Sequence, residues 1–273
     1  MLRLIWQELK FRRGAIVGWG LGLCFFPIVY IGIYPSVADQ MAGFADLEFY
    51  KAMGMSLGTF EDWVASILIA LMPLVASIYT ITNGTGTLAG EEEDGRLEMV
   101  VTLPLPRWQV VTAKAVALTI SSFIIYSIVS VVSLLVFQSI ESQIETTLVA
   151  VDMFVAVFSA WPLVFAVGML SIFLSAFCSS RRFASTISAA ILVVSYFGNN
   201  LSNSTTELEP FKPFFLFTYL DATGKAVAEG QQAGDVTVLI SIGLISFVLA
   251  LFFFQGRNLT VGAWPWQRAK IES

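Results

Sequence analysis

Six stretches of this chain contain no Asp, Glu, Lys or Arg: residues 14–38, 63–90, 115–140, 153–180, 183–206 and 236–256. Each holds at least 21 residues and is mostly apolar. A helix rises about 1.5 Å per residue, so roughly 20 residues cross the hydrocarbon layer of a bilayer. Backbone amides in lipid must be satisfied within the segment, which makes each stretch a helix. One such run is compatible with a buried core helix; six predict six spans. Sustained period-2 alternation is missing, which disfavours a membrane barrel. The fifth run is the weakest, short in its apolar part and rich in Ala and Ser. The first follows a basic start, and Ser36-Val37-Ala38 resembles a cleavage site, but its apolar part exceeds the usual signal core of about 7–15 residues.

The charges between the gaps give an orientation. Alternating loops collect 12 of the 15 basic residues on one side, with only Lys51, Lys212 and Lys225 on the other. Loops on the cytoplasmic side are enriched in Lys and Arg, so both termini are expected inside. The expected fold is therefore all-α: one polytopic transmembrane domain over 1–273. Its spans fall at about 14–36, 63–88, 112–138, 152–178, 183–202 and 236–255. Residues 1–13 are expected to lie in the headgroup region as an amphipathic helix, with Leu2, Ile5, Trp6 and Leu9 on one face. Residues 203–235 form an extracellular segment.

Composition removes several function classes. Only 13% of residues are charged and 56% are hydrophobic, against about a quarter charged in a soluble domain. Histidine is absent, so histidine triads, histidine general bases and histidine metal sites are excluded. A sequence pI near 4.8 disfavours nucleic acid as a partner. Cys24 and Cys178 lie in apolar stretches and read as packing residues. The glycine-containing stretch 83–90 lacks the Gly-Lys-Ser/Thr ending of a phosphate-binding loop and reads as the flexible inner end of the second span. No nucleotide or metal site is expected in this chain.

Within the spans, Gly14, Gly18 and Gly22 recur every four residues and leave a strip for close helix approach. Ser171, Ser175 and Ser179 form a milder strip. Ser185 with Ala189, and Ala184 with Ser188, repeat the spacing in the fifth span. Packing within one subunit and an interface between subunits both fit these strips. Pro27, Pro73 and Pro162 are each expected to kink a span. Asn199 and Asn200 read as caps at the outer end of the fifth span. No charge lies in the middle of a span, which disfavours a carrier driven by an ion gradient.

The connector at 89–110 is the most informative segment. Glu91, Glu92, Glu93 and Asp94 precede Gly95, Arg96, Leu97 and Glu98, and Pro104 and Arg107 follow. Acids at a helix start suit the macrodipole, and Pro104 stops the helix. A short rigid helix with both charge and an apolar edge suits docking of a soluble partner.

The pattern Ala89, Glu91, Gly95, Leu97, Glu98, Pro104, Arg107 and Lys114 resembles the permease subunits of type-2 ABC exporters. Residues 210–215, Tyr219, Gly230, Asp235 and the ending Arg257-Asn258-Leu259 are similar to that family's outer segment and last helix. Asn258 departs from its usual Asp. The resemblance implies six helices per permease and a second permease, identical or paralogous. It also implies two copies of a cytoplasmic ATPase subunit that binds the ATP and magnesium. The coupling residues would be Glu91, Glu92, Gly95, Leu97, Glu98, Pro104 and Arg107, and the outer segment would form short or re-entrant helices. The implied function is outward movement of a lipophilic or amphiphilic substrate across a bacterial or archaeal plasma membrane, in contact with lipid. A secondary transporter or channel is the alternative.

Overall fold

The computed structural model describes residues 1–44, 59–93, 106–178, 180–205 and 207–256. No strand occurs among the described residues, and long helices dominate. They are α1 (Leu2–Leu23), α2 (Phe25–Phe44), α3 (Phe60–Val64), α4 (Met72–Thr85), α5 (Arg107–Ile140), α6 (Ala150–Phe158), α7 (Trp161–Phe177), α8 (Arg181–Ser204), α9 (Gly224–Glu229) and α10 (Ala233–Gly256). Among the described residues, five helical runs are long and apolar enough to cross a membrane: Leu2–Ala38, Phe60–Gly90, Arg107–Gln143, Ala150–Phe177 and Ala233–Gly256. The fifth expected span is also one helix, α8, with 24 residues. At about 1.5 Å per residue it has the length to cross, but its Ser, Thr and Asn content leaves it outside that apolar set.

No break marks the boundary expected near residue 13. Helix α1 runs unbroken from Leu2 through the first glycines to Leu23. Its inward face is not the Leu2–Trp6 edge, since both of those side chains are exposed. Arg12, Ile16, Gly20 and Leu23 are the buried positions instead. The face turned to the protein thus carries a charge.

The three prolines each follow a local interruption in a helical run that continues through it, where a kink was expected. Cys24 separates α1 from α2, where Pro27 is the third residue. Ala70 and Leu71 interrupt the second span before Pro73, and Ser159 and Ala160 interrupt the fourth before Pro162. A first-turn residue needs no amide donor, so proline is cheap there, whereas Pro35 lies in the interior of α2. Above the second break the chain is wound as a π turn, Ala65–Ile69, closed by the Ala70 amide on the Ala65 carbonyl.

Helix α7 is the hub, packed against α4, α5, α8 and α10. Small residues set these approaches. A Cβ at Gly84 would lie 2.8 Å from the Ser171 Cβ, and one at Gly168 would lie 3.2 Å from the Thr80 Cβ. Gly243 of α10 seats the Phe165 ring in the same way. Ser171 and Ser175 therefore serve packing inside one chain, whereas Ser179 lies outside the described residues.

At the far end, residues 209–219 turn over the end of α8. The Phe217 amide donates to Ser195 Oγ at 3.2 Å, and the Phe215 ring lies over Gly198. Asn199 and Asn200 are not caps, because α8 continues to Ser204 with Thr205 as its C-cap. Asn199 Oδ1 accepts from the Thr218 hydroxyl at 3.0 Å, and both asparagines line a polar hollow of about 440 Å³. Helix α9 docks on α3, where the Gly224 amide donates to Asp62 Oδ1 at 3.1 Å.

Candidate functional site

Among the described residues, a cluster of ion-paired side chains sits at the amino-terminal end of α1 and α5. Lys114, two turns into α5, is 3% exposed. Its Nζ donates to Glu8 Oε1 of α1 at 2.9 Å and to Glu91 Oε1 at 2.6 Å. Arg12 Nη2 lies 3.6 Å from Glu8 Oε2, one helical turn away on α1. One lysine thus ties the first helix to the residue where the expected coupling segment begins. Both carboxylates are only partly exposed, so water screens these pairs weakly.

Glu91 reaches this position through a second π turn, Gly86–Gly90, which prolongs α4. A π turn leaves backbone groups out of register, and a side chain from α7 takes them up. Ser175 Oγ accepts from the amides of Leu88, at 3.2 Å, and Ala89, at 2.9 Å, and donates to the Thr85 carbonyl at 2.9 Å. The glycines of this stretch are contact seats. The Arg181 side chain lies across Gly86 and Gly90, where added Cβ atoms would stand 3.5 and 3.0 Å from it. Its guanidinium donates to the Thr82 carbonyl at 3.4 Å. The stretch 83–90, expected to be flexible, is instead docked on two neighbouring helices.

Glu93 closes the arrangement from the other side. Its Oε1 accepts the Arg181 backbone amide at 2.8 Å, placing a carboxylate at the amino end of α8. That end of a helix favours negative charge. Beside it lies a cleft of about 580 Å³, lined by Gln7, Glu8, Arg12, Glu91, Lys114 and Arg181 among others.

The family of this chain follows from a match along nearly all of it. The sequence pattern of the ABC-2 family transporter protein fits residues 2–259. The chain belongs to the ABC-2 transporter family. No curated protein matches it. The ABC-2 chain is thus a permease component of an ABC transporter and a multi-pass membrane protein. Membership implies association with an ABC ATPase.

The residues expected to couple this ABC-2 permease fall in three places. Glu91 is in the ion-paired cluster, and Glu92 shares its helical turn, Glu91–Glu93. Arg107 opens α5 and donates from Nη1 to the Gln255 carbonyl at 3.4 Å, next to the end of α10. Gly95, Leu97, Glu98 and Pro104 lie outside the described residues. Of the small residues, Gly14, Gly18 and Gly22 are exposed with nothing within 4 Å of an added Cβ. Ser185 is half-buried and donates to the Arg182 carbonyl at 3.0 Å, while Ala189 is exposed. The buried strip of α8 runs instead through Ala184, Ser188, Leu192 and Ser195.

Glu8, Arg12, Lys114 and Arg181 were not among the expected site residues, although Lys114 belonged to the pattern that carried the family resemblance. The i, i+4 spacing of Glu8 and Arg12 on a mostly apolar helix was the available signal. Arg181 carried none beyond its place in a loop.

Proposed function

We propose that this ABC-2 chain is the membrane-spanning half of an ATP-driven exporter, with six spans and both termini in the cytoplasm. The ATPase docks on residues 91–107 and holds the ATP and magnesium. Two such chains, or this one and a paralogue, face two ATPase subunits. The exposed apolar edge of α8, with Phe183, Val194, Phe197 and Leu201, is the face assigned to the second permease. The cargo is lipophilic or amphiphilic, in keeping with the scarcity of charge between the two ends.

The observation that carries this reading is the Glu91–Lys114–Glu8 tie. Closure of the ATPase pair on ATP pushes the docking segment, and Lys114 passes that displacement to α1 and α5. Switching then amounts to a shift between two packed arrangements, inward- and outward-open.

The test reconstitutes the chain with its ATPase in vesicles. Leu97→Asp with Glu98→Lys should abolish co-purification of the ATPase while the permease still inserts. Glu91→Gln should keep the complex but lower transport per ATP hydrolysed. Transport driven by an ion gradient without the ATPase would overturn the reading in favour of a secondary carrier.

A further inference from the structure

We infer that the polar hollow at the outer end of α8 binds a polyhydroxylated, sugar-like head group. The inference rests on the export reading proposed above and deepens it, by naming the chemical class of the cargo's polar end.

The hollow has the size and depth of a binding site. It holds about 440 Å³, and small-ligand sites run from about 300 to 1,000 Å³. Its walls come from α8, from the turns at 209–219 and from the start of α10. Its floor is the second span, where Ser66, 1% exposed, and Ala70 line it. Ser66 lies in the π turn Ala65–Ile69, and Ala70 closes that turn. Irregular backbone within a membrane is tolerated where it lines a cavity, and π turns recur at functional sites. The walls hold their shape without a ligand. The Thr218 hydroxyl donates both to Asn199 Oδ1, at 3.0 Å, and to the Lys212 carbonyl, at 2.7 Å.

Polar groups in the hollow outnumber their partners. Tyr196, Asn200, Asn203, Lys212, Gln232 and Asp235 all line it. Among the described residues, none of these six side chains has a hydrogen bond or ion pair. Tyr196, Asn200, Lys212 and Asp235 are half-buried, so their freedom is more than that of surface groups in water.

The types of group select the ligand. Amides donate and accept, Asp235 accepts and Lys212 donates, which complements a ring of hydroxyls that each do both. Phe217 meets Tyr196 at 5.1 Å between centroids and gives the hollow an apolar flank for the C–H face of such a ring. A phosphate head would meet Asp221 and Asp235 against one lysine. A cationic head would meet that lysine.

The test uses the full chain with Cys24 and Cys178 replaced and Asn203→Cys as a reporter at the exposed rim. The protein is held in an amine-oxide detergent, whose head carries no hydroxyl, and the rate of maleimide labelling is read. Octyl glucoside, galactoside and mannoside are titrated in beside octyl phosphocholine and octyltrimethylammonium. The expected result is saturable slowing by at least one glycoside, at a concentration at least about tenfold below that needed with either charged head. Equal slowing by the matching methyl glycoside supports the inference with a free sugar as the source; a need for the octyl chain supports it with a lipid head. Asn200→Leu with Asp235→Leu should erase the slowing in protein of unchanged circular dichroism. If that pair misfolds, Ala222→Trp, which fills the hollow, should erase it. Equal slowing by all heads, slowing by calcium alone, or none at any glycoside concentration overturns the inference. So does slowing that survives these substitutions. The chain is tested without its ATPase, so failure here leaves ATP-driven export standing, and failure of export leaves the binding result standing.

Discussion

Lys114 is a buried cation with two carboxylate partners, so removing it leaves Glu91 unpaired and Glu8 with Arg12 alone in a poorly hydrated place. Breaking such an arrangement costs about 3–5 kcal/mol. Lys114→Met should therefore destabilise the detergent-solubilised protein by that order, read by thermal unfolding. Glu8→Gln and Glu91→Gln should each cost less, because the lysine keeps one partner. In a double-mutant cycle, Glu91→Gln and Lys114→Met should be non-additive. Ser175→Ala strands the amides of Leu88 and Ala89, and an unsatisfied buried group costs about 1–3 kcal/mol. That variant should lose protection from hydrogen exchange at residues 86–90 before the rest of α4 does. Little of this was legible in the sequence. Lys114 belongs to the pattern that suggested the family, but its partner Glu8 lies 106 positions away. Pairing over such distances leaves no local mark. Arg181 and Ser175 bear on the π turn for the same reason and were equally hidden.

Elements were easier to anticipate than their ends. Charge-free runs located the helices, because a span must exclude charge along its whole length. Prolines marked where the helical runs are locally interrupted, in keeping with the one ladder hydrogen bond that each removes. Glycine was misleading in opposite directions. The run at 83–90 suggested looseness but is held by Ser175 and Arg181, whereas the α1 strip suggested close packing but is open. What occupies the space beside a glycine is a tertiary fact. One consequence is testable at Gly198. Any side chain there collides with Phe215, so Gly198→Val should lift residues 209–219 off α8. Faster proteolysis or hydrogen exchange confined to that segment would show it, with α8 itself still helical.

For the whole molecule, topology turns on α8. Ser180 and Thr205 flank it, and the described contacts place its ends near Glu93 on one side and the 209–219 turns on the other. In a background with Cys24 and Cys178 replaced, Ser180→Cys should react with an impermeant maleimide only after permeabilisation, and Thr205→Cys in intact cells. Protection of both in intact cells would remove α8 from the spans and place the carboxyl terminus outside. The basic-residue count predicts the first outcome, because it places Arg181 and Arg182 with the termini.

Of the three helices that Lys114 joins, two are jointed: α1 ends at Cys24, and α4 begins only after the gap at Ala70 and Leu71. Helix α5 is not. Its 34 residues run from Arg107 to Ile140 without interruption, about 51 Å at 1.5 Å per residue. Near its far end, Phe137 meets the Phe60 ring at 5.6 Å between centroids. Jointed rods soak up a displacement at the first elbow; a solid one delivers it. Helix α5 is thus the pushrod of this bundle, and Lys114 is the pin through its foot.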